Sequence, residues 1–214
     1  ACGDADGAVT GNTRRFGASF EKIKQVVDVR DGEIMFGLNM VVHKGRTIFV
    51  GDTSVHEYPT SEQMAEMAIS TARVVRLFGF EPKVAFVSHS TFGQPLTSRT
   101  KHIRNAVDIL KEKKVDFEFD GDMQPDVALN PEYEELYPFS KIVGKANILI
   151  MPGQHSAAIS YKMMKTLGDT KVIGPLLIGL GLPIEIAPLR SSTSELINLA
   201  SIAAYSADVI DYKK

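Results

Sequence analysis

The sequence predicts an α/β fold, a mainly parallel sheet with helices on both faces and an antiparallel hairpin near the N-terminus. Three observations carry that expectation. Short apolar runs rich in β-branched residues alternate with segments of helical periodicity along the 214 residues. Apolar residues make up 44% of the chain and charged residues 23%, a composition that builds a packed core. The first two apolar runs are joined by Lys44 and Gly45 alone, a spacing that permits only antiparallel pairing.

Taken in order, residues 36–43 and 46–52 read as the two hairpin strands. Thr60 and Gln63 form a capping box that opens a helix. Met64, Met67, Ala68, Thr71, Val75 and Phe78 then recur on one face until Gly79 ends it. Residues 83–88 read as a buried strand, and the polar loop SHSTFGQP leads to a helix from about Ser98 with Ile103, Ala106, Val107 and Leu110 inward. A short strand over 116–120, the loop DGDMQPD, a strand over 146–151 and a helix over 156–167 closed by Gly168 follow. The last predicted elements are strands over 172–178 and 184–187 and a helix over 192–204, with Leu196, Leu199, Ala200 and Ala203 inward.

Composition restricts function. Twenty-four Lys and Arg against 26 Asp and Glu give a net charge of −2, so no broad basic field exists to hold a polyanion, and nucleic acid is excluded as the main partner. A single cysteine, Cys2, forms no internal disulfide, which points to a reducing, cytoplasmic setting. The most apolar stretch, 172–184, is interrupted by Pro175 and Pro183 and is too short to cross a bilayer as a helix, so no membrane partner is expected. The opening ACGDADGAVTG has neither an initiator Met nor a signal-peptide pattern and reads as a cut inside a longer protein.

Common motifs fail on particular residues. There is no GxxxxGK[ST], and Gly179 with Gly181 lacks the third glycine of a dinucleotide fingerprint. A calcium loop starting at Asp4 has Val9 where glycine belongs and Arg15 where glutamate belongs, and DGDMQPD has Pro125 at its glycine position. His43, His56, His89, His102 and His155 show no metal-ligand spacing, and no GxSxG elbow is present. Four polar loops remain as candidates at strand ends: ADGAVTG, SHSTFGQP, DGDMQPD and PLRSSTSEL. The SHSTFG stretch reads either as an ordinary polar turn or as an anion cradle. In the second reading Ser88, Ser90 and Thr91 supply hydroxyls, Gly93 lets the backbone approach, and the following helix supplies free N–H groups.

Together these segments resemble the phosphate acetyltransferase and butyryltransferase family. The resemblance runs through DADGAVTG, FVGDTSVHEYPTSEQMAEMAI, VAFVSHSTFG, the run from Asp120 to Leu129, KANILIMP followed by ISYK, VIGPLLIGL and ELINLASIAAY. Residues 137–164 are most similar to the acetyltransferase-like C-terminal domain of bacterial NADP-dependent malic enzymes, with His155 and Ser156 where transferases usually carry an acidic residue and Ala. The resemblance implies a CoA-recognising fold in which 1–30 and 184–214 are pieces of a first subdomain and 31–183 form the second. It also implies a cytoplasmic homo-oligomer, most simply a dimer of this domain, with acyl-CoA as its partner. Acetyl-CoA would be a non-covalent ligand or effector, while NADP and a divalent metal would belong to a catalytic domain upstream.

The family pattern SRGCSxxDI implies an Arg on the acyl phosphate and an Asp acting as base on the CoA thiol. Here Leu189 takes the arginine position, Arg190 is displaced by one residue, and Glu195 replaces the Asp. A one-residue shift beside a helix start rotates a side chain by about 100°. Ala158 and Ile178 stand where the family has Asn and Gln, removing polar groups that would stabilise a charged transition state. Ser192 and Glu195 also spell a capping box, a structural role for the same glutamate. The resemblance thus implies Ser88, Ser90, Thr91, Gly93, Arg190 and Ser191 as acetyl-CoA or phosphate ligands, with Glu195 catalytic only in an active enzyme and no metal site. The expected function is an acetyl-CoA-sensing regulatory domain of a malic enzyme. The alternative is an active phosphate acyltransferase that makes acyl phosphate and CoA from acyl-CoA and phosphate.

Overall fold

The computed structural model describes residues 4–210, so the expectation for Cys2 lies outside the described residues. Strand β1 (Ala8–Gly11) and helix α1 (Phe16–Lys24) come first, followed by β2 (Phe36–His43) and β3 (Arg46–Gly51). Lys44 and Gly45 both take positive φ, 46° and 78°, the mirror-image turn whose twist suits a two-residue hairpin. The chain continues through α2 (Ser61–Leu77), β4 (Lys83–Val87), α3 (Ser98–Lys113), β5 (Glu118–Met123), the short α4 (Pro125–Leu129) and a 3-10 turn at Pro131–Leu136. It closes with β6 (Ile148–Ile150), α5 (Gln154–Leu167), β7 (Thr170–Ile178), β8 (Ile184–Ala187) and α6 (Thr193–Val209).

Two sheets result. The larger has the order β5-β4-β6-β3-β2-β7, with β5, β4, β6 and β3 parallel and β2 antiparallel to both of its neighbours. The smaller is the parallel pair β1 and β8. Alternation along the strands sends Leu38, Phe49, Phe86, Ile148 and Ile150 to one face, where α2, α3 and part of α6 cover them. Val41, Val50, Ala85, Val87 and Leu149 go to the other face, under α4 and α5. Burying Phe49, Phe86, Leu38, Met64 and Met67 completely contributes about 1.5–3 kcal/mol each, which fixes the register of helix on sheet.

Local chemistry accounts for the helix ends. Thr60 and Gln63 make the reciprocal cap of α2, Thr97 and Thr100 make one for α3, and Ser192 and Glu195 make one for α6. The stripe Met64, Met67, Ala68, Thr71 and Val75 is buried as its spacing requires.

Several expectations need correcting. ADGAVTG is not a loop, because Ala8–Gly11 pairs in register with Ile184–Ala187. The strand placed at 116–120 lies at Glu118–Met123, where Gly121 and Met123 pair with Phe86 and Val87. The DGD segment is therefore strand, and Asp116 is left to pair with Arg76. In α6 Ala200 is exposed, while Ile202 joins Leu196, Leu199 and Ala203 against the core, since the inward arc is centred between 199 and 203. Helix α6 also runs five residues past Ala204, and α5 starts at Gln154 rather than Ser156. Helix α1 was not expected, although Phe20 and Ile23 bury its inner face against Leu177, Leu180 and Ile186.

Candidate ligand-binding site

The loops after β3, β4, β5 and β6 leave the parallel strands at their C-terminal ends, where such sheets place ligands. Two buried aspartates organise this edge, each following a glycine at a strand end. Asp52 is fully buried and accepts from the backbone N–H of Gly37 (2.9 Å), Ser54 (2.7 Å), Val55 (3.1 Å) and His56 (2.6 Å), while the His56 ring Nδ1 lies 2.8 Å from Oδ2. Asp122, equally buried, accepts from the Ser90 hydroxyl and from Gly93 N–H at 2.9 Å.

That geometry shows what the SHSTFG loop holds. Ser90 is completely buried with its hydroxyl on Asp122, and the Ser88 hydroxyl stands 3.3 Å from Ser90 Oγ. Thr91 Oγ1 accepts from Gln124 N–H at 3.2 Å. The cradle donors at Ser90 and Gly93 thus enclose the carboxylate of Asp122, an internal anion. Gly93 sits at φ 80°, and a side chain there would collide with the Arg104 guanidinium of α3. His89 and Arg104 are exposed beside this loop.

The second group lies after β8. Leu189 is 52% exposed, Arg190 is exposed at φ 60° with its N–H on Asn12 O, and the Ser191 hydroxyl donates to Pro188 O at 2.9 Å. The loops after β1 and β8 therefore meet, and Asn12 Oδ1 is buried there next to Arg190 without a donor among the described residues. Among the described residues, neither Arg104 nor Arg190 uses its guanidinium in a hydrogen bond or ion pair, so both charges remain available to an anion. The two groups leave from different sheets: Ser88, Ser90, Thr91 and Gly93 from the larger, Arg190 and Ser191 from the smaller.

Glu195 is occupied on both oxygens. Oε1 takes the Lys165 ammonium at 2.7 Å, and Oε2 accepts from Ser192 N–H and hydroxyl at 2.8 and 3.0 Å. The Lys165 hydrogen bond, then the Ser192 N–H, hold its carboxyl below the usual carboxylate range. His155, at the start of α5, lies 3.0 Å from Glu57. Among the described residues no three His, Cys, Asp or Glu side chains gather as a metal-binding group, and no helix is long and apolar enough to cross a membrane.

The sequence did not single out Asp52, His56, Asp122 or Arg104 as site residues, although Asp122 lies in the candidate loop DGDMQPD. The signal for Asp52 was a Gly-Asp pair at the end of an apolar run, at Gly51-Asp52, and the same pair recurs at Gly121-Asp122 in a more acidic stretch. Arg104 gave none, because only the packing of α3 brings it to Gly93.

The structure is a mainly parallel α/β domain with polar loops at the C-terminal ends of its strands and exposed guanidinium groups beside them. Comparison with known sequences shows that the chain belongs to the phosphate acetyl/butaryl transferase family, whose profile matches residues 1–204. It is 46% identical over 207 residues to an NADP-dependent malic enzyme of Rhizobium meliloti, covering 97% of this chain and 27% of that protein. It is 31% identical to a phosphate acetyltransferase of Bacillus subtilis, covering 96% of this chain and 64% of that protein. Among solved structures, a phosphotransacetylase from Streptococcus pyogenes superposes with a TM-score of 0.90 at 29% identity, covering 95% and 63% of the two chains. The chain thus spans about a quarter of the length of the malic enzyme it matches.

Proposed function

We propose that this chain is an acetyl-CoA-sensing domain that tunes the NADP-dependent oxidation of malate to pyruvate and CO2, with the redox chemistry carried by a catalytic domain outside these residues. The observation that carries the reading is Glu195. A base for a CoA thiol needs a free carboxylate within hydrogen-bond reach of the thiol. Glu195 instead closes the α6 cap and the Lys165 ion pair, with its proton affinity lowered. Leu189, apolar and exposed at the family arginine position, removes the group that would clamp an acyl phosphate. The match to malic enzymes, in which the matching region is 27% of the protein, supports a role beside another activity.

In this proposal Arg190 and Arg104 meet the phosphates of CoA, Ser191 and the acceptor Asn12 Oδ1 adjoin Arg190, and Ser88 and Thr91, both buried, back the other loop. Ser90 and Gly93 act through Asp122 by holding the loop in shape. Regulation requires that acetyl-CoA bind two states of the whole assembly unequally, typically by about 1–3 kcal/mol. A dimer of this domain provides the subunit contacts for that. In it β7, whose far edge carries Pro175, would contribute side chains rather than strand pairing.

The test is thiol release from acetyl-CoA with phosphate present. The expected result is no acyl phosphate above background for the wild-type chain. Turnover that Glu195→Gln abolishes would contradict the proposal and restore an active phosphate acyltransferase, with Arg190 on phosphate and Glu195 as the base.

A further inference from the structure

The SHSTFG loop carries an aromatic patch on its outer side. The ring of Phe92, the residue before Gly93, lies 5.4 Å from that of Tyr137 and 4.8 Å from that of Phe139, the latter edge to face. Tyr137 and Phe139 follow the 3-10 turn at Pro131–Leu136. Phe92 and Tyr137 pack against the core on the α4 and α5 side of the sheet, whereas Phe139 is 69% exposed. Leu96, whose Cδ1 lies beside Gly93, and Leu136, next to Tyr137 in the chain, are also exposed. Single exposed apolar side chains are ordinary, but several gathered around one loop mark a contact surface.

Two further observations say what this surface meets. Phe92 sits at φ 50°, a left-handed conformation that bulky residues rarely adopt, and its N–H donates to Asp122 O at 2.6 Å. The loop thus holds a phenyl ring at a position where glycine or asparagine would be less strained. Beside it, Arg104 of α3 lays its guanidinium against Gly93, in the space a side chain would fill. Among the described residues that guanidinium has no hydrogen bond or ion pair, whereas Arg99 of the same helix lies over the Tyr58 ring. We propose that the patch binds an adenosine 3′-phosphate group, that of acetyl-CoA, with the adenine stacked on Phe139, Phe92 and Tyr137 fixing that ring from behind, and the 3′-phosphate on Arg104.

This assignment rests on the acetyl-CoA reading of the domain and orients the ligand, leaving its diphosphate to Arg190. Of the parts of acetyl-CoA, only the adenosine end joins an aromatic ring to a terminal phosphate, and pantetheine is a flexible amide chain with neither. An aromatic face beside a guanidinium matches that pair, because any base stacks on a phenyl ring and a guanidinium forms charge-assisted bonds to phosphate. A second copy of the chain fits the patch less well. A two-fold contact centred here would bring the Arg104 of one copy towards that of the other across an apolar surface.

Fluorescence and calorimetric titrations test the proposal. The chain contains no tryptophan, so Phe139→Trp places a single reporter at the patch. Acetyl-CoA should quench it and bind within about threefold of its wild-type affinity, since an indole offers a larger stacking face than a phenyl ring. Phe139→Ala should weaken acetyl-CoA about tenfold and leave the acetyl thioester of 4′-phosphopantetheine, which lacks the adenosine, unchanged. Arg104→Met should weaken acetyl-CoA about tenfold and leave acetyl-dephospho-CoA, which lacks the 3′-phosphate, unchanged. Both side chains are exposed, so circular dichroism should keep its wild-type form. Undiminished acetyl-CoA binding by folded Phe139→Ala, or no quenching of Phe139→Trp at saturation, would overturn the patch while the acetyl-CoA reading stands. A dimer that Phe139→Ala dissociates, with acetyl-CoA affinity unchanged, would give the patch to a second copy and overturn it too. Adenosine 3′,5′-bisphosphate separates the two claims in the other direction. If it binds the wild-type chain and Phe139→Ala weakens it about tenfold while acetyl-CoA does not bind, the adenosine site is supported and the acetyl-CoA reading fails. If neither ligand binds folded wild-type chain, both are overturned.

Discussion

Replacing Asp52 by Asn keeps the shape of the side chain and exchanges one carboxylate oxygen for a donor. In the wild type Oδ1 serves Gly37 and Ser54 N–H, and Oδ2 serves His56 N–H and ring Nδ1, with Val55 N–H between them. Whichever way the amide turns, its NH2 faces at least one backbone N–H, and that buried donor is orphaned at about 1–3 kcal/mol. The remaining bonds also lose the reinforcement of a charged acceptor. Together these amount to about 3 kcal/mol, a large fraction of the 5–15 kcal/mol that holds a domain together. His56→Ala, in contrast, removes one donor from a carboxylate that keeps four backbone N–H groups, and should cost only about 1 kcal/mol. Urea unfolding followed by circular dichroism measures both. At an m-value of about 3 kcal/mol/M the Asp52→Asn midpoint should fall by about 1 M. A loss below about 1 kcal/mol for Asp52→Asn, or a larger loss for His56→Ala, would refute the view that backbone donors make Asp52 the anchor of the β3 loop.

Other consequences can be measured with equal directness. Ser90→Ala withdraws a hydroxyl from Asp122 inside the protein and should destabilise the fold by about 1–3 kcal/mol in the same assay, whereas a ligand-only serine would cost almost nothing. Burial of Glu185 raises its folded pKa to about 8 from an ordinary value of 4.5, so the native state keeps a proton that the unfolded chain releases between those values. Its contribution is fully present below about pH 4.5 and is lost as pH rises to about 8. Urea midpoints should decline across that window by the equivalent of a few kcal/mol in the wild type and far less in Glu185→Gln. Arg190→Ala should weaken acetyl-CoA binding by about 1.5–3 kcal/mol, read by titration, and wild-type affinity should fall with added salt.

Periodicity made most of the fold legible. The stripe of α2, the hairpin at Lys44 and Gly45 and the caps at Thr60 and Ser192 depend on residues within a few positions of one another, and they stand where expected. The misplaced elements depend on distant partners. Ala8–Gly11 is short and mostly exposed and becomes a strand only because β8, more than 170 residues later, pairs with it. The DGD stretch looks like a loop by composition, and β4 draws it into the sheet. The candidate site divides in the same way. Glu195 could be read as a cap because its partner Ser192 is three residues away, whereas Lys165 is 30 residues away on another helix and left no local signal. The hydroxyls of SHSTFG suggested an anion cradle, and no local pattern showed that the anion inside would be Asp122, 32 residues from Ser90.

The central claim, binding of acetyl-CoA without turnover, meets its most direct test in one calorimetric titration of acetyl-CoA into the chain in phosphate buffer. Both substrates of a phosphate acyltransferase are then present together. Binding alone gives heats that saturate near one ligand per chain, with the baseline restored after each injection, and that is the expected result. A sustained heat flow after injection, signalling acyl transfer to phosphate, or the absence of any saturable heat from folded chain would contradict it.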